Sequence, residues 1–369
     1  MPLQTKEKRT GGYIDQLAFM SSESWSPARP CRAIVTVIGS GGSGAAGVVE
    51  TATFPLSKFV MTGGGAGGMA QSRLELDPSV TYTIIVGARA DAVSRGPTTG
   101  SSDGNAGNAS SFSGSGITTM TGNGGSAGSD SAVATGDVAQ SATGATGGTA
   151  TGGNLLNVTG GASGGGSAST STGVNIAASG GGGVGLRGVG YSGGDADSLS
   201  ASTNSFAASG GGGVGGKGGD ATESSASSTG TLSYGGGECG PAGDETNSGS
   251  SPTFSPESGL DIEPFSNVNN RIEGTENFIG NWLFGSYDKF NNSKHWARGI
   301  GGNANNGTST NWAIFGGGGG AAQRNGNDVL GGSSQLGGGG GAAGCLNGTA
   351  TSGQGGHGMV LIQIEEYLD

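Results

Sequence analysis

The sequence predicts a mostly β and irregular fold with little or no α-helix: a small β scaffold joined to a sandwich of polyglycine II helices with long connecting loops. Three observations predict it. Glycine supplies 86 of 369 residues, much of it in nearly pure runs at 41–42, 63–68, 180–183, 210–213, 316–320 and 337–341. The runs recur in matching contexts: Ala-Ala-Ser-Gly-Gly-Gly-Gly-Val-Gly fills 177–185 and 207–215, and Gly-Gly-Gly-Gly-Gly-Ala-Ala fills 316–322 and 337–343. Strong β-branched strands stand towards both ends of the chain.

Glycine at this level signals low complexity unless a period rescues it. Neither a collagen triplet nor a helical hydrophobic period is present, but repeats spaced by about 20 to 30 residues mark stacked structural units. Ordering glycine costs more backbone entropy than ordering any other residue, so such runs imply a conformation that glycine alone permits. The left-handed extended helix with three residues per turn has no internal hydrogen bonds. With hydrogen as the only side chain, several can lie side by side and satisfy one another, with Cα–H···O contacts added.

Residues 1–31, comparatively rich in charge and in Met, Trp and Pro, are read as an attachment segment. Residues 32–252 hold the β scaffold and the first glycine helices. Strands are expected at Arg32–Gly39, Val48–Phe54 and Lys58–Thr62, and at Leu76–Gly87 after an Asp-Pro turn. The Ser/Gly/Thr/Ala-rich stretch 89–175 leaves long loops and ordered structure equally open. Residues 253–315 break the pattern, with 10 of the 21 aromatic residues. They form either a satellite core or an exposed recognition element. Residues 316–369 supply the last glycine helices and the clearest strand, Gly358–Tyr367.

The formal charge of −11 argues against nucleic acid and anionic membranes as partners. Cys31, Cys239 and Cys345 lack any metal or disulfide spacing, and an odd count favours free thiols. No signal peptide and no membrane span is expected. Gly39-Ser-Gly-Gly-Ser-Gly44 matches the dinucleotide fingerprint after a strand, but the required helix and the acid about twenty residues on are missing. Gly-Gly-Asp-Ala at 193–196 and 218–221 is better read as surface turns than as calcium sites, and His295 and His357 stand alone. No catalytic residue, cofactor or metal is expected, so the chain is not read as an enzyme.

The order of several motifs resembles the glycine-rich tail-fibre tip domains of bacteriophages. These are Val35-Thr-Val-Ile-Gly-Ser-Gly-Gly42, the run 63–68, Leu76 with Tyr82-Thr-Ile-Ile-Val-Gly87, Gly107-Asn-Ala-Ser-Ser-Phe-Ser-Gly114, Ile117-Thr-Thr-Met-Thr-Gly-Asn-Gly-Gly125 and Gly355-Gly-His-Gly-Met-Val-Leu-Ile-Gln-Ile364. The chain is also similar to the distal adhesins of T-even-like phages. The resemblance implies a virion receptor-binding adhesin at a tail fibre or tail tip, made in the host cytoplasm and docked on a fibre or baseplate protein through residues 1–31. Its receptor would be an outer-membrane protein or glycan of the bacterial surface. A homotrimer and a monomer capping a trimer both stay open, as does a purely structural virion component without receptor contact. The insert 253–315 and the long stretch 126–175 depart from the family pattern. Aromatic anchors at Trp282, Tyr287, Trp296 and Trp312 are receptor-binding candidates, followed by Tyr191 and Phe206 between the repeated tracts.

Overall fold

The computed structural model describes residues 15–50, 57–131, 134–135, 138–169, 173–184, 190–199, 204–213, 216–224, 231–233, 235, 245–247, 318–325 and 328–368. Strands and extended tracts alternate along them, and no α-helix occurs among the described residues. The chain runs up and down through a central array of extended tracts, with β-sheets at both ends of the array.

Hydrogen bonds define the tract geometry. From tract 39–45, Gly39, Gly42 and Ala45 donate to the carbonyls of Gly68, Gly65 and Thr62 at 2.9, 2.9 and 3.0 Å. Ser40 and Ser43 donate to Asn108 and Asn105, and Gly41 and Gly44 to Gly356 and Gly353. Every third residue thus faces the same neighbour, and the three residues of one turn face three different neighbours. Among the tract glycines described, only Gly337 has a left-handed φ, 63°. Threefold periodicity with lateral bonding and extended backbone is the polyglycine II geometry.

The array is hexagonal at its centre. Tract 62–68 donates to tracts 123–129, 337–342 and 160–165, and accepts from 39–45, 144–149 and 179–184. Six neighbours therefore enclose it, all through main-chain bonds. Tract 179–184 is likewise bonded to 62–68, 160–165, 190–195, 209–213, 318–321 and 337–342. A Cβ built on Gly41, Gly64 or Gly339 would lie about 2 Å from a carbonyl oxygen of a neighbouring tract. The spacing that closes the hydrogen bonds leaves no room for a methyl group.

Side-chain hydroxyls extend this lattice where tracts begin. Ser179, Ser209 and Ser233 accept from the N–H groups of Gly63, Gly180 and Gly210 at 3.3, 3.1 and 3.0 Å, and donate to the carbonyls of Gly164, Gly194 and Gly219. The repeated sequence contexts are in direct register. Asn175–Ala178 pairs in parallel with Ser205–Ala208, Ala177 opposite Ala207, and Ala322–Asn325 pairs with Ala343–Leu346, Ala322 opposite Ala343.

At one end, two five-stranded sheets form a sandwich. The first orders Asp15–Phe19, Met359–Tyr367, Cys31–Ile38, Met69–Leu76 and Leu156–Val158; the second orders Ala150–Thr151, Met120–Gly122, Ser110–Ser113, Tyr82–Ile85 and Glu23–Trp25. Between them lie Val35, Val37, Ile362, Tyr82, Phe112 and Met120, the Tyr82 and Phe112 rings stacked at 5.2 Å. Outside, Arg32 pairs with Glu75 and Glu366, Arg73 with Glu365, and Arg29 lies 3.8 Å over the Tyr367 ring. These pairs are solvent-exposed and add little stability.

The other end holds four stacked sheets, of three, four, five and five strands. Small apolar cores fill the gaps: Val48, Val329 and Cys345 in the first, Phe59, Ile176 and Phe206 in the second, Val60 and a set of alanines in the third. Burial pushes the Cys345 thiol up to about 12 and raises Cys31 as well, and both cysteines are free, as their spacing suggests.

Several expectations are refined. The strand at 76–87 divides into Met69–Leu76 and Tyr82–Ile85, because Asp77 accepts from the Ser79 N–H at 2.8 Å and closes a turn between them. The stretch 89–175, with loops and order equally open, carries tracts and short strands throughout its described part. From Asp15 on, the expected attachment segment 1–31 is part of the sandwich: Asp15–Phe19 pairs with the last strand and Glu23–Trp25 with Tyr82–Ile85. The expected strand Val48–Phe54 ends at Val49 among the described residues.

His357 enters the last strand, bridging Leu336. Burial, then the Arg89 charge, lowers its pKa, so the folded state favours the neutral ring. The unfolded chain then binds more protons as pH falls, and this contribution, complete above about 6.5, is lost on acidification through the lowered folded value. Thermal melts of the wild type should decline with acid below this point more steeply than those of His357→Gln; parallel curves would deny the histidine a part.

Candidate functional site: the loop-bearing end

Tract direction sorts the connections by end. Where its flanks are described, a strand of the four stacked sheets meets a tract on one side and a connection on the other. The described residues next to those strand ends, 50, 96–99, 138–139, 169, 173–174, 199, 204, 224, 328 and 347–349, therefore all lie at the same end. The opposite end carries the sandwich, with the strand Asp15–Phe19 beside Met359–Tyr367. The molecule is polar in construction: the described chain ends sit at one pole and these loops at the other.

Parallel pairing sets the loop rims in rows. Gly166–Ala168, Ala196–Ser198 and Ala221–Glu223 are neighbours in one sheet, and the ladder continues past them: Ser169 donates to the Ser198 carbonyl at 2.9 Å and Leu199 to the Glu223 carbonyl at 2.7 Å. Ser169, Leu199 and Ser224 thus stand side by side on successive strands, about 4.8 Å apart. Leu199 is 40% exposed. In the adjacent sheet the Asn204 side chain accepts from the Val174 N–H at 2.8 Å. At 346–350 the chain reverses through Asn347, the one non-glycine residue with left-handed φ among those described, at 55°. Asparagine tolerates that region better than most side chains.

Charged groups near this pole are engaged within the protein. Asp328 accepts from the Thr349 N–H at 2.7 Å, Asp103 from the Asp130 N–H at 3.0 Å, and Asp197 from the Ser167 hydroxyl at 2.5 Å. Glu223 is fully buried and accepts from the Thr231 hydroxyl at 2.7 Å; Lys58 is also fully buried. Arg95 turns onto the Thr99 carbonyl. Hydroxyl, amide and small apolar groups dominate the described rims.

The sequence-derived candidates fall elsewhere. Phe206 is fully buried in the second core, opposite Ile176, so it is a packing residue and its candidacy for receptor contact is corrected: in a sheet its side alternates with that of Ser205 and Ala207 and faces the neighbouring sheet. Tyr191 is half-buried in tract 190–195, towards the sandwich pole, where its carbonyl accepts from Gly183. The two do not come together. Trp282, Tyr287, Trp296 and Trp312 lie outside the described residues. The rim row Ser169–Leu199–Ser224 escaped sequence reasoning, although the offsets of the flanking repeats contain its register.

Other motifs resolve into frame chemistry. In Gly39–Gly44 the N–H groups that would cradle a phosphate are bonded to neighbouring carbonyls, and Ala46–Val49 follows as a strand. In the Gly-Gly-Asp-Ala motifs, Asp195 accepts from the Gly165 N–H and Asp220 from the Asp195 N–H, both at 2.7 Å, with Lys217 paired to Asp220. The carboxylates form a ladder between adjacent tracts. Comparison with known protein families and with curated proteins finds no match for this chain.

Proposed function

We propose that the protein is a phage virion adhesin at a tail fibre or spike tip, which recognises a bacterial surface receptor through loops carried on a polyglycine frame. The polarity of the molecule carries this reading. A frame bonded through main chain places few demands on connection sequence, and a rigid scaffold with variable loops at one pole suits recognition. Residues 15–25, integrated in the opposite pole, suit that pole to docking on a fibre or baseplate protein. The motif order shared with phage tail-fibre tips supports the same assignment.

The test is an exchange of connections 199–204 and 224–230 for unrelated sequences of equal length. Adsorption of purified protein to host cells should fall about tenfold or more, equivalent to at least 1.4 kcal/mol of binding, while the melting temperature stays near wild type. Undiminished adsorption by a folded exchange variant would count against loop recognition. A wild-type protein that neither binds host cells nor blocks infection would favour a purely structural virion role.

A further inference from the structure

We propose that the lattice is built of interchangeable columns, so that the width of the loop-bearing pole is set by how many columns the chain encodes. One column is the coil 175–204 together with the unit 316–336. The inference goes beyond the adhesin reading and does not depend on it. Bonds that recur residue for residue carry it.

The coil receives on one side the bonds that it offers on the other. Ser179 and Gly182 donate their N–H groups to the carbonyls of Met61 and Gly64 at 2.9 and 3.0 Å; in the next coil Ser209 and Gly212 donate to Ala178 and Gly181 at 3.1 and 2.9 Å. The returning tracts repeat this. Gly193 donates to Ala162 at 3.1 Å and Gly218 to Ser192 at 3.0 Å, while Ala196 donates to Gly165 at 3.1 Å and Ala221 to Asp195 at 2.9 Å. Residues 316–336 are related in the same way to 337–357: Gly332 donates to Gly320 and Gly353 to Gly341, both at 2.8 Å. The two sets keep step. Gly339 and Ala342 donate to Gly182 and Ser179 at 2.8 and 3.1 Å, and Gly318 and Ala321 donate to Gly212 and Ser209 at 2.7 and 3.0 Å.

Removal of 175–204 joins Ser205 to Val174 and offers Met61 and Gly64 the equivalent donors, Ser209 and Gly212. Removal of 316–336 joins Gly337 to Phe315, ahead of an identical Gly-Gly-Gly-Gly-Gly-Ala-Ala. Tract 338–342 then meets Gly212 and Ser209 where it met Gly182 and Ser179. Tracts 179–184, 190–195, 318–321 and 331–335 leave together, and the rim residues Leu199 and Asp328 leave with them. In stacked repeats each unit contacts only its neighbours, so the rest of the array keeps its bonds. One side chain changes the fit: Phe206 takes the place of Ile176 opposite Phe59, a larger ring in the same core.

The experiment compares the full-length protein with three variants: one lacking both 175–204 and 316–336, one with both segments duplicated, and a control lacking only 175–189. The control removes a tract without its return, so the chain must cross roughly 19 Å between the poles with no residues to do it. Expected are single cooperative melts for both matched variants, within about 10 °C of wild type. Slowly exchanging tract amides should be fewer in the deletion and more numerous in the duplication, and the control should show no transition. Loss of the transition in both matched variants would overturn the column inference. A control that melts like wild type would also overturn it, since the coil would then hold no part of the lattice. Should the deletion alone fail through crowding at Phe206, the duplication, which adds no larger side chain, decides. Adsorption is not read, so failure here leaves the adhesin reading standing.

Discussion

Gly339→Ala is expected to abolish the folded state at ambient temperature. The added Cβ would sit 1.8 Å from the carbonyl oxygen of Gly64 and 2.5 Å from its carbon. Neither atom can yield alone, because Gly64 belongs to a tract bonded on six sides and Gly339 itself donates to Gly182 at 2.8 Å. Relieving the overlap means widening the lattice locally, which breaks several buried main-chain bonds, each leaving groups that cost about 1–3 kcal/mol when unsatisfied. A loss above roughly 5 kcal/mol follows, comparable with the whole stability of many domains. Gly96→Ala provides the control: nothing lies within 4 Å of its Cβ position and its φ is not left-handed. That variant should be neutral, or stabilised by about 0.4–1 kcal/mol through a less flexible unfolded chain. Soluble yield and thermal melts of the two separate the outcomes. A Gly339→Ala protein melting within a few degrees of wild type would refute the close-packed lattice.

Phe206→Ala is the second large effect, with an expected loss of about 3–5 kcal/mol. Its ring is fully buried between two sheets with Phe59, Ile176 and Leu346 in the same cluster. The alanines, Met61 and Val174 around it are fixed by strand registers on either side, so the site cannot collapse to fill the void. Denaturant titration reads the stability. Adsorption per folded molecule should equal that of wild type, since the ring meets no solvent. A variant with unchanged stability and lost adsorption would restore Phe206 as a contact residue.

The frame was legible where repetition was strict. The tracts at 180–183 and 210–213, and those at 316–320 and 337–341, announced themselves by identical contexts, and their offsets equal the pairing registers of the described strands. Edge tracts were harder to see. Along 87–93 only residues such as Ala90 and Gly87 turn inward, so Arg89 and Asp91 can occupy the outward positions and hide the period. Tract 104–109 likewise keeps Gly104 and Gly107 where Cβ would strike Ser43 and Ser40, and admits asparagine between them. The site was less legible. Phe206 looked available because it stands between the repeated tracts; its small neighbours Ser205 and Ala207 let two sheets approach and enclose it. Polarity of the loops cannot be read from composition or spacing, because it depends on the direction of every tract at once.

One pairing sets a clock on biogenesis. Asp15–Phe19 lies against Met359–Tyr367, and tract 39–45 is bonded to Gly353 and Gly356. Asp15–Phe19 therefore waits for its partner while the more than 300 residues between them are synthesised, a delay of roughly 15–70 s at usual elongation rates. Contacts so distant along the chain also make closure slow. The glycine lattice cannot be completed from its first tract alone; tract 39–45 gains its full set of partners only once residues 353–356 have been made, and the nascent chain must remain soluble until then.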